Sequence, residues 1–184
     1  MSSNQALEQK QQQQKKNSTM RKVSVEKVVI NIGVGKSGDA IERAKRVLEQ
    51  ITKQTPSARR AKNSIRDFGV HKGEPIGLVV TVRREGTRDL ISNLLTAREK
   101  KLSPSSFDDR GSVSFGVKEH IEIPGVKYDP EIGIFGMNVS VLLVRPGQRV
   151  SRRLRRTSRV GIAQKVSKEE AIEFFKKEFG AAIE

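Results

Sequence analysis

Hydrophobic and polar positions along this chain change their spacing several times, and each change predicts a new element. Apolar residues that alternate or run together predict strands at 23–32, 76–82, 113–117 and 137–144. The more polar segment 57–65 is predicted to be extended at a sheet edge. Apolar residues at helical spacing predict helices that start at Asp39, at Thr87 and at Ser167. The first of these helices is expected to end before Thr55, because Pro56 disfavours helical geometry in the residue preceding it.

Polar residues at the predicted helix starts suggest side-chain caps. Asp39 and Glu42 stand three positions apart, as do Ser167 and Glu170, and this spacing resembles a capping box. Thr87 is predicted to cap the second helix. All three helices are therefore expected to begin with a side chain that accepts a backbone N–H.

This succession of elements predicts an α+β fold. The order strand, helix, strand, strand, helix, strand, strand gives a mainly antiparallel sheet with two helices packed on one face. It is a split β-α-β arrangement of the kind found in RNA-recognition domains, followed by a basic C-terminal extension that ends in a helix. The opposite face of the sheet is left for a partner to cover.

Charge narrows the class of partner. The 184 residues carry a net charge of +15, which favours polyanions such as nucleic acid over other ligands. No apolar run is long enough to cross a bilayer, no signal peptide is recognisable and there is no cysteine, so we expect a cytoplasmic protein without a membrane partner.

The predicted organisation is a disordered Gln/Lys-rich tail (1–20), an α+β RNA-binding domain (21–145), and a basic extension with a C-terminal helix packed on the same domain (146–184).

A glycine-rich turn at 33–38 matches the dinucleotide-binding pattern G-x-G-x-x-G. That site also needs a second parallel strand ending in an acidic residue about 20 positions later. The corresponding segment here, 58–62, is basic. The Walker A pattern is not matched either, because Ile30 stands where that pattern requires its first glycine. The turn is therefore interpreted as a place where the glycine backbone can come close to a partner and Lys36 can contact a phosphate.

Catalytic groups are sparse. His71 and His120 are the two histidines, they show no metal-binding spacing, and the adjacent Asp108 and Asp109 are typical of a turn. We therefore predict no enzyme activity, no metal and no cofactor.

Aromatic residues make up 4% of the chain, so the expected mode is recognition of a folded RNA by shape, through phosphates and sugar hydroxyls.

Several segments together resemble a known family. INIGVGKSGD, ITKQTP, ARRAKNSIRDFGVHKGEPIGLVVTVR, SFDDRGSVSFGVKEHIEIPGVKYDPEIGIFGMNV and RPG occur in the order found in the universal large-subunit ribosomal protein five family, whose members bind 5S rRNA. The match runs from about residue 20 to 179. KYDPEIGIFG and LVRPG resemble the archaeal and eukaryotic branch.

The resemblance implies a function and a set of contacts. Family members dock the open sheet face on 5S rRNA, anchoring it in the central protuberance, and contact large-subunit rRNA. With the cationic Lys36 and Lys62 added, the predicted 5S rRNA-binding residues are Asn31, Lys36, Gln54, Lys62, Thr81 and Arg83.

The long loop 64–76 resembles the finger that the family extends toward the peptidyl-site tRNA. Its predicted contact residues are Arg66, Gly69, His71, Lys72 and Gly73. The residues predicted to reach other rRNA are Arg149, Arg152, Arg153, Arg155, Arg156, Arg159 and Lys165. Further implied partners are neighbouring central-protuberance proteins and a small-subunit head protein at an intersubunit bridge. The alternative function is a free-standing RNA chaperone or regulatory RNA-binding protein that uses the same basic surface.

Overall fold

The computed structural model describes residues 19–35, 37–126 and 129–184. Residues 1–18 of the predicted disordered tail lie outside this part, as does Lys36, so the disorder of that tail stays a prediction. Thr19 and Met20, the last two residues of the predicted tail, form a 3-10 turn with Arg21.

The described residues form three α-helices and seven strands. Their order is β1 (Ser24–Gly33), α1 (Asp39–Thr52), β2 (Ser57–Arg60), β3 (Pro75–Arg83), α2 (Thr87–Thr96), β4 (Lys101–Leu102), β5 (Ser112–Val117), β6 (Met137–Val144), α3 (Lys168–Phe179) and β7 (Ala182–Ile183).

Five of the strands form one antiparallel sheet in the order β2-β3-β1-β6-β5. This confirms the predicted α+β class with its mainly antiparallel sheet. Strand β2 is shorter than the predicted segment 57–65, because the chain leaves the sheet after Arg60 and begins the loop to β3. All four residues of β2 are exposed, as expected for an edge strand.

Helices α1 and α2 cover one face of this sheet. Val28, Ile30 and Ile32 of β1 are fully buried, since they alternate with residues that point the other way. Helix α1 packs against β3, and α2 packs against β1. The helical side chains in the core are Ala44, Val47, Leu48, Leu90, Ile91, Leu94 and Leu95.

The C-terminal helix completes the core at the far end of the chain. Phe175 of α3 is fully buried and meets Phe107 edge-to-face, with 5.8 Å between the ring centroids. After α3, strand β7 pairs in parallel with β4, and Arg88 of α2 lies 3.5 Å from Glu178 of α3. Sequence patterning missed β4 and β7, because two residues are too few to show a period.

The predicted caps of the first two helices were wrong. Gly38 is the N-cap of α1, with a φ of 97°, and Gly86 is the N-cap of α2, with a φ of 79°; neither helix start has a side-chain cap. Thr87 is instead buried, and its hydroxyl donates to the Arg84 carbonyl oxygen at 2.8 Å. Both turns need a positive φ, which glycine adopts with little strain.

The third predicted cap is confirmed. Ser167 Oγ accepts the backbone N–H of Glu170 at 3.4 Å, and the Glu170 carboxylate accepts the N–H of Ser167 at 3.1 Å. This reciprocal pair satisfies two N–H groups that the first turn of α3 would otherwise leave open.

Removal of the Phe175 ring should test how much α3 contributes to the core. We expect Phe175→Ala to lower the free energy of unfolding by about 3–5 kcal/mol, because it leaves a cavity beside Phe107. Phe68→Ala is the matched control, since 70% of Phe68 is exposed. Urea unfolding followed by circular dichroism would measure both variants. Equal losses would show that α3 is not part of the core.

Candidate nucleic-acid interface

The sheet face turned away from α1 and α2 carries polar side chains in register. Directly paired residues of an antiparallel sheet point to the same face. Asn31 at the centre pairs with Val79 of β3 on one side and with Asn138 of β6 on the other. Both asparagines are exposed. They form a row of amide groups that no part of the described chain covers.

A second polar row lies next to the first. Thr81 pairs with Val29, which pairs with Ser140 of β6, and Ser140 pairs with Ser114 of β5. Thr81, Ser114 and Ser140 are all exposed, and the two serine hydroxyls lie 3.1 Å apart. Hydroxyl groups can both donate to phosphate and accept from sugar hydroxyls.

The register therefore brings the predicted Asn31 and Thr81 together as diagonal neighbours. It also adds Asn138, Ser140 and Ser114, which sequence reasoning missed. The signal was present in the alternating polar letters of SVSFGV and MNVSV. Because period-two alternation does not say which strands are neighbours, these residues could be joined to Asn31 only once the strand order was known.

Arg83 extends this surface toward the C-terminal segment through a shared carboxylate. Its guanidinium lies 3.8 Å from Glu26 Oε1, and the guanidinium of Arg152 forms an ion pair with the same oxygen. The Arg83 side chain is still 54% exposed, so this pair is weak and leaves it open to a further anion. The predicted 5S rRNA set and the predicted second rRNA set thus meet at Glu26.

The remaining members of the predicted 5S rRNA set lie apart from the polar rows. Gln54 precedes the edge strand β2, Lys62 follows it, and both are exposed. They flank the β2 edge of the sheet and do not belong to the Asn31 row. Lys36 lies outside the described residues.

The loop between β2 and β3 is a hydrogen-bonded finger. At its base, Ala61 N–H donates to the Glu74 carbonyl at 2.8 Å, and Gly73 N–H donates to the Ala61 carbonyl at 2.9 Å. Further out, Ile65 and Val70 exchange N–H···O bonds of 2.9 and 3.1 Å. These bonds hold the loop in one shape by its own backbone.

Side chains brace the same finger and leave its cations free to the solvent. The Glu74 carboxylate accepts from the His71 N–H at 2.9 Å and from the Ser37 hydroxyl; these two bonds lower the pKa of Glu74. The predicted contact residues Arg66, His71 and Lys72 are exposed. Gly69 and Gly73 have positive φ values of 62° and 90°, which fit tight turns at the tip and base.

Arg145 attaches the basic extension to the domain. Only 10% of its side chain is exposed, and its guanidinium pairs with Glu170 of α3. The same guanidinium donates to the carbonyl oxygens of Ala163 and Lys165, at 2.9 and 3.3 Å. The end of the basic stretch, at Ala163 and Lys165, is thereby held next to Arg145, where the stretch begins.

The segment 146–165, the basic loop, has a second anchor at Gln164. The Gln164 side-chain amide donates to the carbonyl oxygens of Met20 and Pro146, at 2.7 and 2.9 Å. Between these anchor points the chain displays its cations to the solvent. All seven residues predicted to reach other rRNA are exposed: Arg149, Arg152, Arg153, Arg155, Arg156, Arg159 and Lys165.

The two histidines lie in different surroundings, because His71 is exposed on the finger and His120 is in the core. His120 is buried and accepts the Phe135 N–H on Nδ1 at 3.3 Å; burial lowers the pKa of His120, which keeps it neutral in a structural role. Among the described residues, no group of three or more His, Asp or Glu side chains is placed to hold a metal. A helix able to span a membrane is likewise absent from that part of the chain.

The polar sheet face, the cationic finger and the basic loop define a protein of the RNA-binding class. Comparison with known proteins agrees. The family model for ribosomal protein L5 matches residues 18–71, and a second model, for the C-terminus of the same ribosomal family, matches residues 75–174. The chain belongs to the ribosomal protein L5 family.

Relatives from archaea and a ciliate cover nearly all of the chain. The large ribosomal subunit protein uL5 of Pyrobaculum aerophilum is 53% identical over 92% of this chain and 94% of its own length. The uL5 protein of Nitrosopumilus maritimus is 49% identical over 90% and 96%. That of Tetrahymena thermophila is 46% identical over 90% and 95%.

The predicted archaeal and eukaryotic type is thereby confirmed. As a member of this family, the chain is a structural protein of the large ribosomal subunit, binds rRNA in translation and is not an enzyme. Its place is the cytoplasmic ribosome.

Loss of the Arg145 anchor should loosen the basic extension without unfolding the sheet. We expect Arg145→Leu to accelerate tryptic cleavage within 149–165, because three carbonyl and carboxylate contacts disappear together. Arg46→Leu is the matched control, since it removes one exposed arginine of α1. Fragment masses after brief digestion would locate the cuts. Equal cleavage of both variants would contradict the anchoring role.

Proposed function

We propose that the chain binds 5S rRNA through the open face of its sheet and anchors it in the central protuberance of the large subunit. The observation that carries this proposal is the pair of polar rows around Asn31 and Thr81 on a face that no described element covers. A sheet face exposed to solvent needs polar residues, but five hydroxyl and amide side chains side by side also match the phosphate and 2′-hydroxyl groups of a folded RNA.

The basic loop supports a second contact, with large-subunit rRNA. Its cations extend from the Glu26 side of the sheet, so one RNA surface can touch Arg83 and the loop together. Arg145 and Gln164 hold the loop in place before binding, which lowers the ordering entropy that binding would otherwise cost.

The finger between β2 and β3 supports a third contact, with the peptidyl-site tRNA. Exposed Arg66, His71 and Lys72 lie on a loop that is braced at its base and projects from the sheet edge. Cations on such a finger can meet a phosphate backbone without disturbing the sheet. Neighbouring central-protuberance proteins and a small-subunit head protein at an intersubunit bridge complete the proposed partners.

Substitutions in the polar rows test the 5S rRNA site. Asn31→Ala and Thr81→Ala should each weaken 5S rRNA binding by about 1–3 kcal/mol, because each leaves an RNA polar group without its partner. Asn93→Ala is the matched control, since Asn93 is exposed on α2 on the covered side of the sheet. Filter binding at fixed salt would measure the affinities. Unchanged binding by both row variants would remove this face from the site.

Salt dependence separates the proposed function from a general RNA chaperone. The wild-type affinity for 5S rRNA should fall steeply with salt, because each neutralised phosphate releases counterions. At moderate salt, 5S rRNA should still bind more tightly than an unrelated structured RNA of equal length. Equal affinity for the two RNAs would favour the chaperone function.

Charge removal on the finger tests the tRNA contact separately. The double variant Arg66→Gln, Lys72→Gln should leave 5S rRNA binding unchanged and weaken peptidyl-site tRNA binding on reconstituted ribosomes. The slope of log affinity against log salt should become shallower by about one for each lost phosphate contact. A loss of 5S rRNA binding instead would show that the finger belongs to the 5S site.

A further inference from the structure

An apolar cavity lies between the glycine turn after β1 and the finger. Its volume is about 740 Å³, within the range of roughly 300–1,000 Å³ that is common for ligand pockets. Apolar walls come from Val34 of the turn and from Ile65, Phe68 and Val70 of the finger. None of these residues belongs to the contacts proposed above.

Phe68 is unusual for its exposure. Of the seven phenylalanines, it is the one whose side chain is mostly open to solvent, with 70% exposed, and neighbouring Ile65 is 44% exposed. The other six are buried or half-buried. In a chain with few aromatic residues, an aromatic ring at the mouth of an apolar cavity is suited to contact with a partner.

The backbone holds the cavity walls open. The N–H groups of Val34 and Gly35 both donate to the Ile76 carbonyl at 3.0 Å, which ties the glycine turn to the start of β3. Opposite this turn, Ile65 and Val70 are paired, and the tip closes with Gly69 in a left-handed conformation. A ligand therefore meets a formed slot, with little ordering of the loop required.

Charge around the slot identifies the occupant. The segment 57–74 carries five cations (Arg59, Arg60, Lys62, Arg66, Lys72) and two acids (Asp67, Glu74), and Glu74 is already engaged by Ser37 and His71. Lys62 and Asp67 line the cavity itself. A cation suits a phosphate, an acid accepts from an exocyclic amino group, and an apolar aromatic wall suits a flat ring. A nucleotide combines all three, whereas an apolar peptide matches only the wall.

We propose that this cavity takes an unstacked nucleobase of a bound RNA, with Phe68 stacking on the base and Lys62 facing its phosphate. The inference rests on the proposed function in that it needs an RNA partner, and it adds base capture to phosphate contacts. Stacking accepts any base, so the slot adds affinity without reading sequence.

Binding of two single-stranded RNA decamers tests the slot directly. One probe is a decamer of adenosines, and the other is the same ribose-phosphate chain without bases. Wild type should bind the adenosine probe more tightly than the abasic probe. Phe68→Ala should weaken binding of the adenosine probe by about fivefold to a hundredfold, the range expected for loss of one base–aromatic stack, and leave the abasic probe unchanged.

Three further variants make this result specific. Phe68→Tyr should keep wild-type binding, because the ring remains, whereas Phe68→Leu should fall to the level of Phe68→Ala. Ile134→Ala, which removes another exposed apolar side chain (56% exposed), should have no effect. Full binding by Phe68→Leu would overturn the stacking role and favour an apolar peptide as occupant. Equal wild-type affinity for both decamers would also overturn the proposal.

The 5S rRNA assay keeps this test separate from the proposed function. If Asn31→Ala weakens 5S rRNA binding while Phe68→Ala changes neither probe, the nucleobase slot is wrong and the sheet site stands. If Phe68→Ala weakens binding of the adenosine probe while wild type does not bind 5S rRNA, the nucleobase slot is supported and the proposed 5S rRNA site is wrong.

Discussion

The register of β1 with its two neighbours is the constraint on which the rest of the structure depends. β1 lies at the centre of the sheet, and its pairing with β3 and β6 puts Val28, Ile30 and Ile32 under the helices. The same pairing sends Asn31 to the open face beside Asn138. A slip of one residue would exchange the two faces, so burial of the core also fixes the polar surface. The hydrogen bonds that pair the strands therefore also determine which residues the open face presents.

The fold attaches the basic segments at fixed places on the domain. Arg145, buried against Glu170, holds the C-terminal loop near β6, and Glu26 joins Arg152 of that loop to Arg83 of the sheet. At the β2 edge of the sheet, the backbone bonds between Ala61 and residues 73 and 74 close the base of the finger. A high positive charge alone would give only non-specific attraction.

Periodicity predicted the main strands, the helices and the α+β class because β1, β3 and β6 are long enough to show a period. The resemblance to a family supplied Asn31, Thr81 and Arg83. Sequence reasoning missed what depends on tertiary contact: the row partners Asn138 and Ser140, the anchor Arg145, and the exposed Phe68. It also assigned the first two caps to side chains, because a glycine with positive φ leaves no polar signal in the sequence. The roles of the predicted contact residues remain predictions that RNA binding must decide.

The most direct measurement uses the absence of cysteine from the chain. A Ser140→Cys variant carries one thiol on the open sheet face, where a short photocrosslinker can be attached; Asn93→Cys places the same group on α2. In a complex with 5S rRNA, the crosslinker at position 140 should label the RNA strongly, and the crosslinker at position 93 should label it weakly or not at all. Equal labelling from the two positions, or stronger labelling from position 93, would contradict the assignment of the open sheet face as the 5S rRNA surface.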